Sequence, residues 1–246
     1  MYCWICENEV FAFAPYGVPR RTGKCPHCGA KPRSRVLAWL LREVLGPGLA
    51  GCARILEVGP SQLGAETLLQ TRPLGPRPWT MIDRRITRAH RRIRRPHRFV
   101  RMDVTRMGFA SRSFDLILCN NVLPYIREDR QALAEIARCL TIKGLAMINT
   151  HTGAGPTLSV PAHRRLHPEL GDDYYAENGD QWVYGEDFFE RVASAGLHYR
   201  VAKLFEKRPR EFLDENGLKR NNECILAFKA PAALERCLHP ELRLLE

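Results

Sequence analysis

Phe114-Asp-Leu-Ile-Leu-Cys119 holds five apolar residues in six. That density does not fit a strand with one face in water. The run is bounded by Ser113 and by Asn120-Asn121, and it reads as a strand buried on both faces, as in a parallel sheet with crossover helices. Downstream, Leu133, Ile136, Ala137 and Leu140 recur at helical spacing, predicting an amphipathic helix over Arg127 to Leu140. Leu145 to Asn149 is the next short apolar run, a further strand.

The same rhythm extends in both directions. Upstream, strands are predicted at Arg54 to Val58, Trp79 to Ile82 and His97 to Met102, with a helix from Ala65 to Thr71. After an irregular stretch from Thr150 to Val183, a helix over Glu186 to Ala195 precedes strands at His198 to Leu204 and Glu223 to Lys229. Strands alternating with helices in this order predict an α/β fold built on a doubly wound, mostly parallel seven-stranded sheet. Before it, Val36, Leu37, Leu40, Leu41 and Val44 mark a helix from Ser34 to Leu45, stopped by the breakers Gly46-Pro47-Gly48. The expected organisation is therefore a small module at 1–32, a connecting helix at 33–48, and the α/β domain at 49–246. An insertion at about 151–183 is placed to cover a pocket at the strand ends.

Nine cysteines are divided unevenly. Five are scattered singly, mostly in apolar runs where a thiol behaves as a small hydrophobe. The other four form Cys3-x-x-Cys6 and Cys25-Pro-His-Cys28. Each pair supplies two thiolates from one tight turn, and together they make the four ligands of a tetrahedral zinc site. With no position left for water such a site is structural, and a module this small needs one to fold. Shaping an acceptor site, binding RNA and buttressing the next helix all remain open as its role. Paired and single cysteines of this kind point to a reducing compartment, the cytoplasm. Met1 to Val10 does not read as a secretory leader, and no apolar run reaches membrane length.

The net charge of +11 is concentrated. Nine arginines and no acid lie between Arg84 and Arg101. Clustered guanidiniums bind phosphates or carboxylates bidentately and are a footprint of nucleic-acid binding. A solvated, arginine-heavy connection between two strands is the plainer reading.

Acids punctuate the strand ends. Met81-Ile-Asp83 closes the second strand with a carboxylate suited to ribose hydroxyls. Asp103-Val104 follows the third, where an adenine amino group could donate. Ile55-Leu-Glu57-Val-Gly59-Pro-Ser61-Gln-Leu-Gly64 ends the first, where glycine lets backbone approach a ligand. With Ser113 to Ile126 and Ala134 to Gly144, this series resembles the class I S-adenosylmethionine-dependent methyltransferases. Cys25 to Arg35 and Trp182 to Gly196 are similar to segments of a bacterial subset that begins with a cysteine ribbon.

The resemblance implies S-adenosylmethionine as cofactor, contacted by Glu57, Gly59, Ser61, Asp83, Asp103, Val104 and Asn120. Ser61 stands where the family has its second glycine. No Asn/Asp-Pro-Pro-Tyr tetrad follows the fourth strand, so amino-group methylation is not indicated. Asn121 and Tyr125 after the fourth strand, and His151 after the fifth, are the candidate catalytic residues. An anionic small-molecule or peptide acceptor, methylated at oxygen, is the expectation. RNA is the alternative acceptor, and a non-catalytic ribbon protein is the third reading.

Overall fold

The computed structural model describes residues 1–3, 5–16, 21–41, 48–60, 79–85, 98–175, 179–203, 208–218, 223–235 and 244–245. The helix expected at Ala65 to Thr71, Ser61, and the arginines at 88, 91, 92, 94 and 95 lie outside the described residues.

Two short hairpins open the chain, β1 (Tyr2–Cys3) with β2 (Asn8–Glu9) and β3 (Ala14–Tyr16) with β4 (Arg21–Lys24). Helix α1 (Pro32–Trp39) follows, with proline at its first position where no amide partner is lost. Next come β5 (Ile55–Val58), β6 (Trp79–Asp83), β7 (Arg98–Arg101) and β8 (Phe114–Asn120). Helix α2 (Asp129–Cys139) runs straight into β9 (Leu140–Asn149). A cap contains β10 (Leu158–Ser159), α3 (Val160–Leu166), α4 (Gly171–Tyr175) and β11 (Trp182–Val183). The chain ends through α5 (Phe188–Ser194), β12 (His198–Lys203), α6 (Arg210–Glu215), β13 (Glu223–Phe228), α7 (Pro231–Glu235) and β14 (Leu244–Leu245).

The central sheet has the order β7-β6-β5-β8-β9-β13-β12-β14. Its first five strands are parallel, and β13 runs antiparallel between β9 and β12. All seven expected strands are present. The two-residue β14 extends the edge beyond β12, pairing Val201 with Leu245. Strand β9 starts five residues earlier than its apolar run, at Leu140, because Phe114 pairs with Leu140 before the register shifts and Leu116 pairs with Leu145.

Period-two alternation sorts the sheet residues onto two buried faces. Ile55, Leu116, Leu118, Leu145 and Met147 join one cluster with Val36, Leu37 and Leu41 and with Ile5, Val10 and Phe13 of the cysteine module. Leu56, Ile117, Cys119, Ala146 and Ile148 join another with Leu133 and Ile136 of α2 and Phe188 and Val192 of α5. Each fully buried aliphatic or aromatic side chain contributes about 2 kcal/mol, so both layers are strongly driven together.

Each layer also buries an arginine. Arg35 of α1 is fully enclosed. Its guanidinium donates to the carbonyls of Gly23 (2.8 Å), Ala30 (3.0 Å), Asn216 (3.1 Å) and Gly217 (3.0 Å), and it lies 4.0 Å above the Phe13 ring. Gly217 sits at φ +57°, and a Cβ there would meet the Phe13 ring at 2.5 Å. On the other face, Asp129 Oδ2 accepts from Arg191 Nη1 (2.7 Å) and from the Tyr184 hydroxyl (3.0 Å). Tyr184 reaches it from the segment that closes the cap. Trp182 Nε1 donates to Ile126 O (2.9 Å) and Gln181 N to Pro124 O (2.7 Å), fastening β11 to the turn after β8. Among the described residues no helix is long and apolar enough to cross a membrane.

Candidate active site

The carboxyl ends of β5, β6, β7 and β8 open into one cavity of about 820 Å³. Parallel strands place their loops there, which is where open α/β sheets bind ligands. Glu57, Gly59, Asp83, Val104, Asn120, Asn121 and Tyr125 all line it. Asp103 and His151 are not among the lining residues, and Ser61 lies outside the described residues.

Glu57 is the most perturbed of these groups. It is 4% exposed, and burial pushes its carboxyl from the ordinary 4.5 up to about 8. Its Oε2 has no hydrogen-bond partner, and neither does the buried Oδ1 of Asn120 on the neighbouring strand. Buried acceptors are nearly always satisfied, so two orphans facing one cavity mark a place for donors. Gly59 adopts φ +59° and donates its N–H to Ile82 O at 2.8 Å. A Cβ at this position would stand 2.6 Å from Val122 Cγ2, so only glycine keeps the loop after β8 in place.

That loop is itself held in an uncommon shape. Asn121 lies at φ +56°, a region a non-glycine residue enters at a cost, and its N–H donates to Asn149 O at 2.7 Å. The strained residue projects at the cavity wall beside Tyr125.

The acids at the strand ends divide their work. Asp83 Oδ1 accepts from the Arg85 N–H (2.8 Å). Asp103 Oδ1 accepts from the amide and hydroxyl of Thr105 (2.9 and 2.8 Å), and Arg84 Nε stands 3.3 Å from Oδ2. The carboxylate of Asp103 thus holds its own turn, and Met102 and Val104 on either side of it reach the cavity. Asp115 lies away from the cavity, paired with Arg54 at 3.0 Å.

Four cavity residues escaped the sequence reading: Arg33 and Ser34 from the start of α1, and Gly179 and Gln181 from the cap. Arg33 and Ser34 lie in the Cys25 to Arg35 segment that carries the resemblance, but their place beside the strand ends is a tertiary contact that the segment alone does not reveal. Arg33, Arg84, Arg85 and Arg101 make the lining positive against the two carboxyls Glu57 and Asp83.

Away from the cavity, the sulfurs of Cys3, Cys6, Cys25 and Cys28 all lie within 4.8 Å of one another. Cys3–Cys28 measures 3.7 Å and Cys6–Cys25 3.8 Å. A tetrahedron with ~2.3 Å metal–sulfur bonds has edges of about 3.8 Å, the separation found here. Burial pushes the Cys3 thiol up to about 11.

Residues 80–148 match the family model of the methyltransferase domain. The matched segment holds Asp83, Asp103, Val104, Asn120, Asn121 and Tyr125; Glu57, Gly59 and His151 fall outside it. In fold the domain is similar to the 1,6-didemethyltoxoflavin-N1-methyltransferase of Burkholderia thailandensis, solved with 1,6-didemethyltoxoflavin and S-adenosylhomocysteine bound. That pair is 17% identical with a TM-score of 0.52, covering 79% of this chain and 76% of the other. A SAM-dependent methyltransferase from Archaeoglobus fulgidus superposes with the same TM-score at 11% identity, covering 79% and 93%. No curated protein matches the chain.

Proposed function

We propose that this protein transfers a methyl group from S-adenosylmethionine to an anionic small molecule or peptide, at oxygen. The observation that carries the cofactor is the pair of orphan acceptors, Glu57 Oε2 and Asn120 Oδ1, at the ends of adjacent strands. An ammonium group supplies the donors they lack. The cavity is of the size that takes a ligand of this class, and Gly59 lies in its lining. Asp83 is placed to accept from ribose hydroxyls. Val104, buried on the wall, offers the base an apolar surface, while Asp103 keeps the turn that presents it.

S-adenosylmethionine brings a methyl carbon made electrophilic by its sulfonium. What the chain adds is orientation, since holding an acceptor in line with the leaving group accounts for much of such a displacement. Asn121, Tyr125 and Gln181 offer amides and a hydroxyl for that purpose. Among the described residues no histidine lines the cavity, and the only carboxyls that line it are Glu57 and Asp83. An acceptor that is already an anion, such as a carboxylate, needs no base. The positive lining supports the same choice. The four thiolates are assigned a structural zinc, on sulfur separations that fit its tetrahedron.

Calorimetric titration of zinc-loaded protein with S-adenosylmethionine tests the reading. Micromolar binding is expected, abolished by Gly59→Arg and weakened by Asp83→Ala. Absence of saturable binding to folded wild-type protein would remove the enzyme. Elemental analysis should find zinc, and its absence would remove the ribbon. Methylation of RNA, with binding that falls steeply as salt rises, would replace the proposed acceptor.

A further inference from the structure

Helix α1 contributes two residues to the cavity, Arg33 and Ser34. This helix begins with Lys31 as its cap, Pro32 in its first position, and Arg33 and Ser34 next. Lys31 makes no side-chain cap and the first turn holds no acid. The amide of Arg33, second in the helix, has no acceptor within it. A helix start of this kind favours an anion. Arg33 and Ser34 line the same cavity as Glu57, Gly59 and Asn120. Arg33 is half-buried and makes no hydrogen bond or ion pair with any described residue.

A helix start alone would say little. The second observation is Glu57, 4% exposed, with an oxygen that meets no donor, joined by the orphan oxygen of Asn120. One cavity therefore holds two unfilled acceptors and an unfilled guanidinium beside an uncapped helix start. Together they are complementary to one small group, the zwitterion of an α-amino acid. Its ammonium fills the acceptors, and its carboxylate fills the donors.

We propose that Arg33, with Ser34 and the first turn of α1, binds the carboxylate at the amino-acid end of the methyl donor, opposite Glu57 and Asn120. The assignment rests on the cofactor reading above. It gives the helix that follows the cysteine module a direct part in cofactor recognition. It also sets Arg33 apart from Arg84, Arg85 and Arg101, which sit beside Asp83 and Asp103.

The test compares two ligands by calorimetry, S-adenosylmethionine and its decarboxylated analogue, on zinc-loaded wild type and on Arg33→Gln. Arg33→Gln should weaken S-adenosylmethionine about ten- to a hundred-fold, the effect of losing a charge-assisted hydrogen-bonded pair. It should change binding of the decarboxylated analogue by less than about threefold, as for a surface substitution. Arg33→Lys should recover part of the loss. Unfolding midpoint and zinc content should match wild type, because Arg33 has no described partner to lose. Wild-type affinity of Arg33→Gln for S-adenosylmethionine overturns the inference while leaving the cofactor reading intact, and returns Arg33 to the acceptor. Equal weakening of both ligands also overturns it, since the residue would then act on the shape of the cavity. A wild type that binds neither ligand overturns the cofactor reading itself.

Discussion

Arg35 on one face of the sheet and Arg191 on the other are both buried, yet they are accommodated by opposite means. Arg35 donates to four main-chain carbonyls contributed by three segments, at Gly23, Ala30 and Asn216-Gly217, and stacks on Phe13. Arg191 meets the carboxylate of Asp129, itself 2% exposed, and lies 4.8 Å from the Trp182 ring and 5.8 Å from that of Tyr184. A carboxylate partner neutralises the charge outright and can be removed by one substitution. A carbonyl cage spreads the charge over backbone dipoles and exists only while every contributing loop is in place. The first device secures a helix and a cap, and the second secures the chain path itself.

Breaking each device should expose the difference. Arg35→Met strips its donors from the carbonyls of Gly23, Asn216 and Gly217, while Ala30 O keeps the Cys25 N–H, and unlinks the cysteine module from the residues after α6, so it should cost about 4 kcal/mol. Urea denaturation should read that loss, with zinc held less tightly; a cost below about 1 kcal/mol would mean the cage is structurally idle. Asp129→Asn leaves Arg191 buried beside a neutral amide and should cost about 3 kcal/mol. That variant should keep its zinc, confining the damage to the cap and α5.

Glu57 is a third buried ionisable group, resolved by neither means, and it sharpens the comparison. Its folded carboxyl is raised toward 8, above its unfolded value, so the folded state holds a proton that the unfolded state releases. Stability of ligand-free protein should therefore fall as pH rises from about 4.5 to about 8, and level off above. Between pH 6 and pH 8 the decline should reach about 2 kcal/mol, and Glu57→Gln should remove most of that slope. Parallel slopes in the two proteins would show that Glu57 is ionised in the folded state.

Much of this architecture is written locally. The runs at β5, β6, β8 and β9 are dense in apolar residues because both faces of those strands are covered, and α2 alternates as an amphipathic helix must. The cysteine pairs advertise themselves by spacing, which is a property of one turn. What the sequence withheld is what distance in the chain conceals. Arg35 reads as one arginine among many until residues 216 and 217 are brought to it. Arg33 and Gln181 gain meaning only from the cavity that they share with Glu57. Asp103 was legible as an acid at a strand end, but its commitment to Thr105 and Arg84 depends on the neighbouring strand. The cap was expected as an irregular cover for an acceptor, and its helix α3 packs against β10 and β11 in contacts that no periodicity announces.

The carbonyl cage has a consequence for synthesis. Half of its described acceptors lie near the N-terminus and half at residues 216 and 217. As the chain leaves the ribosome, the N-terminal module and α1 emerge early with a guanidinium that cannot be fully satisfied until nearly all the sheet has followed. Folding therefore cannot be completed vectorially from the N-terminus. The first thirty-five residues wait, and the arginine that stands inside the finished protein spends translation in water.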